Sequence, residues 1–179
     1  MHTFVIKPHL PRTARVVAGA TLIEAMVALV IMSIGLLGLA GLQVTGLNDN
    51  ADAERRTQAT IVMNDLIERM RANTTGVKAG AYAAIDFSTI DCTGTPANYC
   101  ATRGAHAAEE CTPEQLAGFD AYVALCEGAT RLPAGFISVQ CTDNNGNAQA
   151  CADTSYRTVS LNYRDSTNET KPLAAIIRP

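Results

Sequence analysis

The chain of 179 residues holds almost nothing that a catalytic site needs. Past residue 19 it has a single histidine, His106, in an Ala/Gly/Glu-rich stretch where a solvated surface position is its ordinary role. Neither a G-x-S-x-G elbow nor a phosphate-cradling glycine loop occurs. Zinc sites bring two ligands to one ion from a tight turn, and no C-x-x-C pair exists here; the closest spacing is Cys92 to Cys100. No stretch beyond the first 19 residues has a basic excess, which argues against nucleic acid as a ligand. What remains is a non-enzymatic chain with no cofactor.

Charge is absent in a second, local sense. From Ala25 to Leu42 there is no charged residue. As a helix rising about 1.5 Å per residue, that run covers roughly 27 Å, close to the hydrocarbon core of a bilayer. Glu24 stands at its start, where a carboxylate costs a few kcal/mol unless it has a partner or a task. Proline is also missing from Thr21 to Thr75, so nothing interrupts a helix that continues past the membrane span. Ala59, Val62, Met63, Leu66, Ile67 and Met70 recur at three- and four-residue steps and form one apolar stripe, while Asp52, Arg55, Arg56, Glu68, Arg69 and Arg71 fall mainly elsewhere. The stripe is too short for a coiled coil and reads as the face that packs on the helix's own domain. A single helix ending near Asn73 is expected, roughly 80 Å long at about 1.5 Å per residue, with Gly76 as its stop signal.

The first 19 residues carry Lys7, Arg12 and Arg15 and no acid; without them the net charge of −3 would fall to −6. Asp49, Asp52 and Glu54 come first after the span, so the positive-inside rule places the leader in the cytoplasm and the rest beyond the membrane. All six cysteines, Cys92, Cys100, Cys111, Cys126, Cys141 and Cys151, lie on that far side. An even number confined to one side of a membrane reads as a disulfide framework in an oxidising compartment. Neighbour-to-neighbour bridging is the simplest of about 15 connectivities, and sequence alone does not choose among them.

After an irregular stretch from Thr75 to Cys111, Thr112-Pro113-Glu114-Gln115 has the spacing of a capping box with proline at the first helical position. Leu116, Phe119, Val123 and Cys126 continue that helix to Gly128. Strands are expected at 136–141, at 159–163 and at 173–177, with the turn-rich Asp143-Asn144-Asn145-Gly146-Asn147 after the first. The fold class is therefore α+β: a long N-terminal helix, half transmembrane and half amphipathic, packed on a small, mostly antiparallel sheet with disulfide-bonded loops.

Gly19-Ala20-Thr21-Leu22-Ile23-Glu24, behind a basic leader and ahead of an apolar helix, resembles the class III signal of type IV pilins and pseudopilins. The resemblance implies cleavage after Gly19 by a prepilin peptidase, N-methylation of Ala20 as the new N-terminus, and an assembly role for Glu24, which meets the amine of a neighbouring subunit in the fibre. Leu66 to Asn73, Phe119-Asp120 and Leu132-Pro133-Ala134-Gly135 are similar to segments of PilV-type minor pilins. Ala20 stands where phenylalanine is common, Gly41 where many pilins have proline, and no tryptophan is present. The division implied is a cleaved leader at 1–19, a transmembrane helix at 20–43, its amphipathic continuation at 44–74 and a periplasmic or extracellular Cys-rich domain at 75–179. The partners implied are the prepilin peptidase, the major and other minor pilins and the pilus assembly machinery of the inner membrane. The chain would begin as a single-pass inner-membrane protein and end in the pilus at the cell surface. A type II secretion pseudopilin shares the signal and the helix and is the alternative.

Overall fold

The computed structural model describes residues 21–143, 145, 147–152 and 154–178. Gly19, Ala20 and the rest of the leader lie outside the described residues. The first helix, α1, runs from Leu22 to Ala72, 51 residues. Its residues up to Val44 belong to one compact unit, and the chain from Thr45 onward forms a second. Thr21 starts the helix: its Oγ1 accepts the Glu24 N–H at 3.3 Å and its carbonyl accepts the Ala25 N–H at 3.2 Å. A threonine cap satisfies amides that the first turn leaves without partners.

In the second unit the apolar stripe does what its spacing demands. Ala59, Met63, Leu66, Ile67 and Met70 are buried, and Val62 packs partly against them. The opposing layer is a three-stranded antiparallel sheet in the order β1 (Phe136–Thr142), β2 (Tyr156–Arg164), β3 (Thr170–Ile177). Its inward residues alternate along each strand: Ile137 and Val139 on β1, Val159, Leu161 and Tyr163 on β2, and Ile177 on β3. Glu68 and Arg71 are exposed, whereas Arg69 reaches inward and Asp52 meets the turn between β2 and β3.

Helix α1 ends where its pattern ends, but Gly76 is not the stop. Asn73 caps a second short helix, α2 (Thr74–Lys78), accepting the Gly76 N–H on Oδ1 at 3.1 Å. A Cβ on Gly76 would lie 2.5 Å from Asn73 Nδ2 and 2.9 Å from the Pro113 carbonyl, so glycine is needed for close approach. Beyond it the chain to Cys111 is irregular as expected, apart from a 3-10 turn at Phe87–Thr89. The helix α3 (Pro113–Tyr122) begins with the capping box: Gln115 N–H donates to Thr112 Oγ1 and Thr112 N–H to Gln115 Oε1. A π-helical turn, Val123–Gly128, continues it. Ala117, Ala121 and Ala124 face the core, and Gly128 has Val62 Cγ1 2.7 Å from where its Cβ would be, so small residues let this helix lie close to α1.

All six cysteines are paired, but not neighbour to neighbour throughout. Cys141 joins Cys151, whereas Cys100–Cys111 is nested inside Cys92–Cys126. The reason is local structure. An antiparallel bridge between Arg103 and His106 turns the 100–111 segment back on itself, bringing its own ends to a Cα separation of 5.6 Å. Helix α3 and its π turn then carry Cys126 to within 5.1 Å of Cys92.

Arg157, 1% exposed, occupies an inward position of β2 that period-two alternation assigns to an apolar side chain. Its guanidinium donates to the carbonyls of Val77 (2.6 Å), Ser155 (2.5 Å) and Ala152 (3.2 Å), tying the end of α2 to the sheet and to the segment closed by Cys141–Cys151. At the other end of the sheet, the β2–β3 turn clasps α1. Ser166 donates its N–H and hydroxyl to Asp52 at 2.8 and 2.6 Å. Asp165 organises the turn by accepting from the Thr167 hydroxyl (2.8 Å), the Glu169 N–H (2.8 Å) and Lys171 (3.3 Å).

These bonds, first that from the Thr167 hydroxyl, lower the Asp165 carboxyl to about 2, and the Ser166 hydroxyl lowers Asp52 as well. A carboxyl lower in the folded state than in the unfolded chain adds stability above its ordinary value of 3.8, and that contribution is lost as pH falls toward the folded value. The melting temperature should therefore fall between about pH 4 and pH 2. In Asp165→Asn the slope of that decline should be shallower; an identical slope in the variant would show that the turn carboxylate contributes nothing.

Candidate functional site: an uncovered apolar helix

From Leu22 to Val44 every large apolar side chain is between 52 and 78% exposed. An 18-residue window of this helix reaches a mean hydropathy of 2.4 with no residue buried within the chain. Apolar residues occupy every face, so the surface is not one stripe awaiting one partner. A helix apolar all round is stable only within a lipid phase or a bundle of other helices. At about 25 cal/mol per Å² of apolar surface, this exposure is far too costly to leave in water.

The glycines carry the same message. Gly35, Gly38 and Gly41 have nothing within 4 Å of the position a Cβ would take. Each glycine costs about 1 kcal/mol of helix propensity relative to alanine, and contact with the rest of the chain does not require them. Small residues at helix crossings let backbones approach closely. Ser33 returns its hydroxyl to the Leu29 carbonyl at 2.7 Å, so the polar group inside the run is satisfied within the helix.

Glu24 lies in the first turn of α1 and is exposed. Its backbone N–H is held by Thr21, but among the described residues no group bonds its carboxylate. The first turn has uncapped amides and the positive end of the helix dipole, both of which favour an acid there by about 0.3–1 kcal/mol. That is less than the roughly 3 kcal/mol a carboxylate costs within hydrocarbon.

A second polar cluster, in the other unit, was not legible as a site. Asp120 on α3, 3% exposed, accepts from the Tyr82 hydroxyl at 2.6 Å and from Arg69 of α1 at 3.3 Å. Tyr82 accepts in turn from Asn73 Nδ2 at 3.2 Å, and Asn73 also donates to the Pro113 carbonyl at 2.7 Å. Burial raises the Asp120 carboxyl, and the Tyr82 and Arg69 bonds oppose that rise. Burial also raises the Tyr82 hydroxyl, with the Asp120 charge adding to it. The cluster joins the end of α1, α2 and α3, which makes it a structural clasp. His106 stacks on Tyr99 at a ring separation of 4.1 Å and takes no part in it.

Asp120→Ala should strip two buried donors of their acceptor and cost about 1–3 kcal/mol, while Tyr82→Phe removes one bond and should cost about 1 kcal/mol. Urea unfolding of the two variants tests the order; an equal or larger loss in Tyr82→Phe would contradict the assignment of Asp120 as the hub.

Comparison with known families covers the chain from residue 15 to residue 122. Residues 15–40 match the prokaryotic N-terminal methylation motif, and residues 41–122 match the family described as type IV pilin Tt1218. No curated protein and no solved structure matches the chain. The two matches abut within α1, between Ala40 and Gly41, the one covering most of the uncovered helix and the other the buried stripe, the Cys100–Cys111 loop and α3. Across residues 15–122 the chain is thus similar to type IV pilins, a methylation motif followed by a Tt1218-like segment.

Proposed function

We propose that this protein is a minor pilin of the PilV type, which enters the type IV pilus, or primes its assembly, through the N-terminal half of α1. The observation that carries this reading is the helix from Leu22 to Val44, fully uncovered and led by a carboxylate with no partner among the described residues. Such a surface fits two successive environments, the inner membrane and the helical core of a fibre, because both cover every face. The matched methylation motif supports cleavage by prepilin peptidase after Gly19 and methylation at Ala20. In the fibre, Glu24 gains its partner in the amine that cleavage creates at the head of a neighbouring subunit. A charge-assisted bond of that kind is about twice as strong as a neutral one, and stronger still in a medium without water.

Residues 1–19 then form the cytoplasmic leader, 20–43 the span, 44–74 the continuation of the helix, and 75–179 the periplasmic and later extracellular part. Three disulfides suit that compartment. The other subunits of the pilus and the inner-membrane assembly machinery are the partners. The type IV pilin match and the Leu66–Asn73 segment support a pilin over a type II secretion pseudopilin.

The test is Glu24→Ala expressed in the native host, with leader cleavage and fibre content followed separately. Cleavage should be unchanged, while the amount in sheared pili relative to the membrane should fall about tenfold, the equivalent of about 1.4 kcal/mol. Normal incorporation of the variant would remove the pairing from the mechanism.

A further inference from the structure

The sheet has two edges, and only one of them is closed. On the outer side of β1, Gln149 N–H donates to the Cys141 carbonyl and Asp143 N–H to the Asn147 carbonyl, both at 2.9 Å, so the segment held by Cys141–Cys151 covers that end. Among the described residues the outer side of β3 has no such cover. Which of its backbone groups point outward follows from two observations. Arg164 N–H donates to the Pro133 carbonyl at 2.8 Å, toward β1 and away from β3. Backbone direction alternates along an antiparallel strand, so Asn162, Ser160 and Thr158 also turn toward β1. Their partners on β3, Pro172, Ala174 and Ile176, therefore turn outward. Pro172, which has no N–H, sits where β2 needs no donor, in agreement with that parity. The free edge thus offers the N–H groups of Ala174 and Ile176 and the carbonyls of Pro172, Ala174 and Ile176. Among the described residues nothing bonds to them.

Edge strands are ordinarily guarded by charge, proline or a bulge. Here Lys171 and Pro172 guard only the start. Leu173 to Ile177 reads Leu-Ala-Ala-Ile-Ile, and its register with β2 is unbroken. Ile176 is 62% exposed, and Leu173 and Ala175 are only partly buried where the seam between α1 and β3 opens. A cleft at each end of that seam has a base beside it. Arg56 lies by Pro172 and Leu173, and Arg178 lies by Ile177 with its guanidinium over the Tyr156 ring and donating to the Tyr156 hydroxyl, which leaves it further donors. Neither Arg56 nor Arg178 pairs with a carboxylate among the described residues, whereas Asp52 and Asp165 at the first cleft are already engaged by Arg55 and Ser166 and by Lys171 and Thr167.

We infer that the free edge of β3 is a docking rail for an extended segment of another chain, apolar in its middle and acidic at both ends, which adds as a fourth strand beside Pro172–Ile177. Main-chain bonds to Ala174 and Ile176 hold the segment, and its apolar side chains cover Leu173 and Ala175. Its end carboxylates meet Arg56 and Arg178. A second copy's own β3 is the poorer occupant, because antiparallel pairing would repeat the donor missing at Pro172 and set bases near bases. The inference stands independently of the assembly role given to Glu24.

The test uses the full chain in detergent micelles and the synthetic peptide EVTVTVE, with KVTVTVK and a backbone N-methylated EVTVTVE as controls. Amide exchange at Ala174 and Ile176, read residue by residue, should slow about tenfold with saturating EVTVTVE and change little with either control. Ala174→Pro, which removes an outward donor on an edge strand, should weaken binding about tenfold at an unchanged melting temperature. Unaltered exchange with millimolar EVTVTVE would overturn the docking rail. Equal protection by KVTVTVK would overturn the acidic partner. Protection that rises with protein concentration and no peptide would replace that partner with a second copy.

Discussion

The architecture depends on one constraint: the apolar surface of α1 is satisfied by its own chain over only part of its length. From Ala59 to Met70 the helix buries a stripe against the sheet and α3, and that burial gives the domain its core. From Leu22 to Val44 nothing among the described residues covers it. A soluble fold cannot leave such a surface in water, so the missing cover comes from lipid or from other helices. Membrane insertion and assembly are both answers to that one deficit.

Around the covered part, polar devices fix a small core that would be marginal by apolar burial alone. Three disulfides hold the loops that α3 and the sheet do not order. Asp120 gathers Tyr82 and Arg69 where α1 ends, and Arg157 collects carbonyls from α2 and from the segment before β2. Each is buried with its bonding capacity used, which is the condition for a buried polar group to hold structure in place rather than weaken it. The turn at Asp165 and Ser166 does the same at the surface, by fastening the β2–β3 hairpin to Asp52.

The elements that rest on periodicity and capping were legible in the sequence. The stripe from Ala59 to Met70, the capping box at Thr112 and the three strands follow from spacings of three to four and of two, which local geometry imposes. The elements that rest on contacts distant in sequence were not. Gly76 reads as a stop signal, yet Asn73 restarts a helix around it because Pro113 and Tyr82 come close from elsewhere in the chain. The nested disulfides depend on the Arg103–His106 bridge and on the π turn beyond Tyr122, for which no motif prepares. Arg157 was detectable only by extending the odd-numbered alternation of Val159, Leu161 and Tyr163 backward by two residues onto a charged one. At the site itself, Glu24 stood out because a single charge stands at the head of a long apolar run.

The claim on which the rest turns is that α1 is released from a leader and carries its uncovered half into an assembly. Intact mass and N-terminal peptide mapping of the protein taken from its native membrane and from its pili test it most directly. A chain that begins at Ala20 in both fractions, with a methyl group on the new amine, is expected. An uncut chain, or one that begins near Gly41, would contradict it, because Glu24 would then have no new amine to meet or would itself be gone.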